Sequence, residues 1–247
     1  MKTLSYALIF LCAVIAQSVF FSCGKNETVK TEPPVPEKKQ RTMTEDFQKA
    51  LTPDDVIKLG ETGNQRFLSG EQINRDILYE VLHTSKGQHP AAIIIGCIDS
   101  RAPAEFIFDA GIGDLFNARV AGNFVNVDIA ASAEYACKVA GSKIVVIMGH
   151  THCGAVKSAI DDVKLGNITE LLSNIRPAVD SVKNFKGELN SKNYEYVDAV
   201  ARENVILNIR KLRAISPILK EMEDKGEIKI IGAMYDIETG KVELMTK

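Results

Sequence analysis

Two short stretches hold the residue types from which a metal centre is built. "CIDSR" occupies positions 97–101 and "GHTHCGA" positions 149–155. Cys97, Asp99 and Arg101 fall at alternate positions, so on an extended chain a thiol, a carboxylate and a guanidinium share one face. In the second stretch, Cys153 stands with His150 and His152 between Gly149 and Gly154. Two thiolates and one imidazole suit zinc, which prefers nitrogen and sulfur ligands in a tetrahedron. Three protein ligands leave the fourth position open, the mark of a catalytic rather than a structural zinc. Spacing alone leaves open which histidine binds. Asp99 is either a fourth ligand or an acceptor beside the metal. Arg101, on the same face, can hold that carboxylate bidentately and draw it off the metal.

Such residues must be delivered by something rigid. "AAIIIGC" (91–97), "DLFNARV" (114–120) and "KIVVIMG" (143–149) read as strands, the first and third apolar without alternation, as in a parallel sheet buried on both faces. "TPDDVIKLGETGNQRFLSG" (52–70) reads as a helix capped by Thr52, with Pro53 at its first position and Gly70 at its end; Gly60 and Gly63 weaken it. "NRDILYEVLHTSKG" (74–87) reads as a second helix ending at a glycine. A helical stretch precedes Gly141, residues 154–225 are mostly helical, and 227–245 read as strand, turn and return strand. Alternation of this kind predicts an α/β fold with a central, mostly parallel sheet. In open parallel sheets, sites form beyond the carboxyl ends of the strands, where Cys97 and His150 both fall.

The chain has 247 residues, 45% of them hydrophobic and 25% charged, an ordinary globular balance. Its net charge of −2, with Lys and Arg dispersed along the sequence, excludes a nucleic-acid binder. The N-terminus differs. Lys2, the apolar "ALIFLCAVIA" at 7–16 and "SC" before position 24 read as a secretory signal over 1–22, with Cys23 as a lipidation site. Residues 23–43, rich in proline and charge, read as a flexible tether ahead of a domain at 44–247. The expected location is therefore the periplasm or cell envelope, on a membrane through an N-terminal lipid anchor. Cys97, Cys137 and Cys153 form no disulfide framework, and reduced thiols in an exported protein call for metal ligation.

With both motifs in hand, and with "PAEFIFDAGIGDLFNARVAGN" at 103–123 between them, the sequence resembles the beta-class carbonic anhydrases from about residue 44 to 240. Carbonic anhydrase is the standard instance of zinc lowering the pKa of a bound water toward neutrality. The resemblance implies one Zn2+ per subunit on Cys97, His150 and Cys153, which selects His150 over His152. It implies a zinc lyase (carbonate dehydratase) in which zinc-bound hydroxide reversibly hydrates carbon dioxide to bicarbonate and a proton. Asp99 then orients the nucleophile and Arg101 restrains Asp99. Gln88, Phe116, Gly122 and Tyr135 match substrate-pocket positions. The resemblance also implies a homodimer or tetramer, with N-terminal helices packing on a partner and pocket residues reaching a neighbour's zinc. The absence of Trp puts in doubt the inhibitory bicarbonate pocket that some members build around one. Two readings compete: a related zinc hydrolase of carbon disulfide or carbonyl sulfide, and a non-catalytic zinc-binding interaction module. The intact Asp99–Arg101 pair argues against the module.

Overall fold

A computed structural model describes residues 37–245. The expected signal at 1–22, Cys23 and most of the tether lie outside the described residues. The described part of the tether is not free chain. Lys39 bridges to Arg75, with its N–H on Asn74 O at 2.7 Å, and Met43 is buried in the core. The domain therefore begins several residues before 44, because Met43 supplies apolar surface that the sheet buries.

The apolar runs become a five-stranded sheet in the order β2-β1-β3-β4-β5. β1 is Ala92–Gly96, β2 Leu115–Arg119, β3 Ile144–His150, β4 Lys229–Tyr235 and β5 Val242–Met245. Every neighbouring pair is parallel except β4–β5. β1 and β3 are buried along their whole length, which accounts for their unbroken apolar sequence. Alternation divides their side chains between two cores. Ile93, Ile95, Val145 and Ile147 face one layer of helices; Ile94, Ile144, Val146 and Met148 face the other.

The first layer holds α5 (Val127–Glu134), α6 (Gly154–Ile160), α7 (Gly166–Ser173), α8 (Arg176–Ser181), α9 (Tyr194–Ile215) and α10 (Pro217–Asp224). The second holds α2 (Pro53–Ser69) and α4 (Ala104–Ile107), with Met43 beside them. α2 starts and stops as its sequence predicts, with a capping box between Thr52 and Asp55 and a left-handed Gly70. Gly63 does not weaken it. A Cβ there would stand 1.9 Å from Phe108 O, so glycine is what lets α2 approach α4. The neighbouring Asn64 donates to Ile107 O at 3.2 Å and to Gly240 O at 3.0 Å, which locks α2 onto its own chain.

Two helices differ from expectation. α3 runs only from Ile77 to Thr84, because Asp76 caps it and Arg75 is engaged in the bridge to Lys39. The helix before Gly141 ends as a π-helical turn over Tyr135–Val139. The remaining short helix, α1 (Glu45–Ala50), is tied down by Gln48, whose buried amide donates to Pro90 O and Ala140 O, each at 2.8 Å. Among the described residues no helix is long and apolar enough to cross a membrane.

β1 and β3 are adjacent and in register, with Ile95 opposite Ile147. Their carboxyl ends therefore finish side by side. Cys97 follows β1 immediately and His150 is the last residue of β3.

Candidate metal centre

Cys97, His150 and Cys153 converge beyond those two strand ends. Their ligand atoms all lie within 4.8 Å of one another, and all three residues are buried. His150 Nδ1 is 2.9 Å from Thr151 O. A carbonyl can only accept, so Nδ1 carries the proton and Nε2 is left with a lone pair. That Nε2 is buried without a hydrogen-bond partner. An orphaned acceptor beside two sulfurs fits a cation.

Protonation of the thiols leads to the same fit. Cys97 is drawn far below the ordinary thiol range, first by a hydrogen bond from Cys153 and then by the backbone N–H groups of Gly122 and Asp99, against the opposing effect of burial. Cys153 is pushed up by the same partnership with Cys97 and by burial. Without a cation, two sulfurs share one negative charge. A soft divalent metal lets both ionise, and zinc matches the donor set.

Asp99 stands next to these atoms, with Oδ2 3.9 Å from His150 Nε2. Arg101 grips it at both oxygens: Nε to Oδ1 at 2.9 Å and the terminal nitrogen to Oδ2 at 2.7 Å, with the Arg101 backbone N–H on Oδ1 at 3.0 Å. The Arg101 hydrogen bond holds the Asp99 carboxyl well below the usual carboxylate range, against the opposing effect of partial burial. The carboxylate is thus ionised, oriented and committed to arginine.

The loop bearing Cys153 is anchored differently. Thr151 N–H donates to Tyr235 O at 3.0 Å, and His152, at φ +57°, donates its N–H to Asp198 Oδ1 at 2.7 Å. The His152 ring lies against Tyr194, with centroids 4.2 Å apart, and is not part of the three-ligand cluster. Cys137 is core, as expected for a small buried thiol, and burial pushes it up to about 12.

The expected pocket residues divide. Gly122 is at the centre, with its N–H 3.3 Å from Cys97 Sγ. Its φ of +79° and a Cβ that would fall 2.3 Å from Ile175 Cδ1 require glycine. Phe116 and Tyr135 meet edge to face at 6.3 Å, but Phe116 pairs with Ile93, four residues before Cys97. That is about 13 Å along the strand. Gln88 is exposed beyond the end of α3. Phe116 and Gln88 thus lie toward the amino end of β1, away from Cys97 at its carboxyl end. A cavity of about 410 Å³ lies under α2 on the opposite face of the sheet and includes none of the three ligands.

Three contributions escaped the sequence reading. Arg119 donates to Cys97 O at 2.8 Å and to Asp99 O at 2.6 Å, so it holds the CIDSR turn by its backbone. Asn204 and Asn208 of α9 bind the loop that carries Gly122. Asp198 anchors His152. The asparagines had a readable signal, since they interrupt the otherwise apolar face of α9 four residues apart.

The fold and site define an α/β protein with a buried Cys-His-Cys centre at the ends of parallel strands. The family model described as "Carbonic anhydrase" matches residues 92–242. Carbonic anhydrase 2 of Mycobacterium tuberculosis is 32% identical over 188 residues, spanning 74% of this chain and 87% of that protein. The solved structure of the beta-carbonic anhydrase CcaA superposes with a TM-score of 0.60 at 26% identity, covering 78% of this chain and 94% of its own. The structure of two tetrameric beta-carbonic anhydrases of Sordaria macrospora gives 0.59 at 22% identity, over 78% of this chain and 98% of theirs. The chain belongs to the carbonic anhydrase family, in its beta class, and is an enzyme of that family.

Proposed function

We propose that this chain catalyses the reversible hydration of carbon dioxide to bicarbonate and a proton, with one zinc ion per subunit on Cys97, His150 and Cys153. The observation that carries this is the buried triad, with its unpartnered His150 Nε2, beside an aspartate held off by arginine. Bound there, zinc supplies a Lewis acid that activates water near neutral pH. The chain's own residues direct the reaction. Asp99, ionised and fixed, accepts a hydrogen bond from the attacking water and so aims its lone pair at the substrate carbon. Arg101 occupies both Asp99 oxygens and keeps the carboxylate from competing for the open coordination position. The Gly122 N–H neutralises part of the charge on Cys97.

Gln88, Phe116 and Tyr135 complete a substrate pocket across a homodimer or tetramer interface, lining a neighbour's site rather than their own. The position of Phe116 and Gln88 away from Cys97 supports this, as does an outward apolar face on α3. Leu78 is 80% exposed and Leu82 68%, with Ile77 and Val81 beside them. An apolar helix face of that size favours a protein partner. The N-terminal sequence supports export to the periplasm or cell envelope and lipidation at Cys23; mass spectrometry of the mature N-terminus tests both.

The test of the enzymatic reading is metal content together with carbon dioxide hydration for wild type and Asp99→Ala. Retained zinc with lost turnover supports the roles assigned. Zinc-replete wild-type protein that fails to hydrate carbon dioxide at alkaline pH defeats them.

A further inference from the structure

The turn that faces Cys97 is not held by its own residues alone. Val120–Asn123 closes through Asn123 N–H on Val120 O at 2.9 Å, with Gly122 at φ +79°. A left-handed glycine in the third position is the requirement of a type II turn. In this turn the central peptide directs the Gly122 N–H at Cys97 Sγ, 3.3 Å away. The opposite orientation of that peptide would present the Ala121 carbonyl to the sulfur instead. Glycine tolerates both orientations, so contacts from outside the turn must select one.

α9 provides those contacts. Asn204 Nδ2 donates to Gly122 O at 2.8 Å, and Asn208 Oδ1 accepts from Val125 N at 2.7 Å. Asn208 Nδ2 then donates to Asn204 O at 2.8 Å and to Asn204 Oδ1 at 3.0 Å, so each side chain supports the other. Asn204 is 1% exposed and Asn208 4%. Both lie on the face of α9 that otherwise buries Val197, Ala201, Val205 and Ile209 in the core. Amides placed there are costly unless paired. Here the 120–125 loop pairs a donor of Asn204 and the acceptor of Asn208, and the two asparagines pair with each other.

We propose that Asn204 and Asn208 are positioning residues of the metal centre: through the Val120–Val125 loop they hold the Gly122 N–H on the Cys97 sulfur and so set how strongly that thiolate donates to the metal. This rests on the zinc-site reading above. A hydrogen bond to a ligating sulfur withdraws electron density from it, which leaves the metal a stronger Lewis acid. The same contact fixes the direction of the sulfur lone pairs and so the metal affinity. Neither asparagine touches the metal or the substrate.

The experiment uses the full chain loaded with cobalt(II), whose thiolate-to-metal charge-transfer band reports sulfur donor strength directly. Asn204→Leu and Asn208→Leu are compared with wild type by band position, by cobalt dissociation constant from chelator competition, and by circular dichroism. The expected result is a shift of the band to longer wavelength and affinity weakened roughly 10–100-fold in folded variants. Folded variants with wild-type band position and affinity, changed only in melting temperature, overturn the proposal and leave the asparagines a packing role. A wild-type chain with no thiolate–cobalt band fails earlier, at the metal-site reading itself. If neither variant folds, the native chain carries the test. Loaded with cadmium-113, its Gly122 amide proton is expected to show scalar coupling to the metal across the N–H···S bond, and absence of coupling overturns the proposal.

Discussion

Cys97 and Cys153 bring their sulfurs to one small volume by opposite routes. Cys153 is the N-cap residue of α6, and the N–H groups of Val156 and Ala155 favour its thiolate. The N–H groups that favour its sulfur are local, two and three positions away, while the loop before it is tied across the fold to Tyr235 and Asp198. Cys97 ends a strand and has no helix to lean on. Its carbonyl is held by Arg119 and its sulfur by Gly122, which depends in turn on α9 more than eighty residues further along the chain. One sulfur is thus supported from its own helix turn and the other from across the fold. Damage to the fold at a distance should reach the metal through Cys97.

The largest effects come from removing the ligands. Cys97→Ser and Cys153→Ser are each expected to lose stoichiometric zinc and reduce hydration to background, since a three-residue site has no spare donor. The comparison sharpens in amide hydrogen exchange. Cys97→Ser should accelerate exchange over residues 120–125, where the Gly122 N–H exchanges a thiolate acceptor for a shorter, neutral hydroxyl, while Cys153→Ser should leave that loop protected. Equal exchange in both variants would contradict the asymmetry. Asp99→Ala comes next. Turnover is expected to fall roughly 10²–10⁴-fold, the usual contribution of a group that handles a proton. Zinc, read by elemental analysis, should remain near one per chain.

What the sequence disclosed follows the same division. The local devices were legible: the apolar runs of β1 and β3, the Thr52 cap and Gly70 stop of α2, and the two motifs themselves. Each is a matter of neighbours in the chain. Arg119, Asn204 and Asn208 were not read as parts of the site, because their partners lie across the fold: a lone arginine carries no spacing signal, and the four-residue spacing of the asparagines marks a buried polar pair without naming what it binds. Gly63 of α2 was misread for the same reason. Gly63 looks like a helix defect until Phe108 O is seen beside it. Gln88, Phe116 and Tyr135 came from family resemblance, and the sheet register sets Phe116 opposite Ile93 rather than Cys97. Choosing His150 over His152 also needed the resemblance, and the fold now adds a reason: His150 ends β3, while His152 is turned toward Tyr194 and Asp198.

Single contacts outside the ligand set should separate the two loops at intermediate size. Arg119→Leu removes both hydrogen bonds to the CIDSR backbone and is expected to weaken zinc affinity about 10–100-fold, measured by chelator competition. Thr151→Val, on the Cys153 side, removes the acceptor of the Ile237 N–H at 3.0 Å. Its expected cost is about 1 kcal/mol in unfolding free energy with zinc affinity unchanged, since α6 still presents Cys153. If Thr151→Val weakened zinc as much as Arg119→Leu, the local support of Cys153 would be insufficient and the contrast would fail.

The smallest effects lie in two carboxylates, one beside each loop, whose shifts have opposite signs. Asp99 is lowered, chiefly by Arg101, whereas Asp198 is raised, chiefly by burial. A lowered carboxylate stabilises the fold when ionised. Its contribution is complete above the unfolded pKa of about 3.9 and is lost as pH falls through the lower folded value. A raised carboxylate does the reverse: its contribution is present below about 3.9 and disappears as pH rises through the higher folded value. Arg101 is more than half exposed, so solvent screens the Asp99 pair and holds its contribution under about 1 kcal/mol. In metal-free protein unfolded by urea, Asp99→Asn should therefore be slightly less stable than wild type at pH 7, with the gap closing below about pH 4. Asp198→Asn keeps an acceptor for the His152 N–H and removes a half-buried charge, so it should equal or exceed wild type at pH 7. Wild type should gain on it as pH falls through the raised value. Gaps that move in the same direction with pH would mean that the two carboxylates share one environment, and that the loops they flank are held alike.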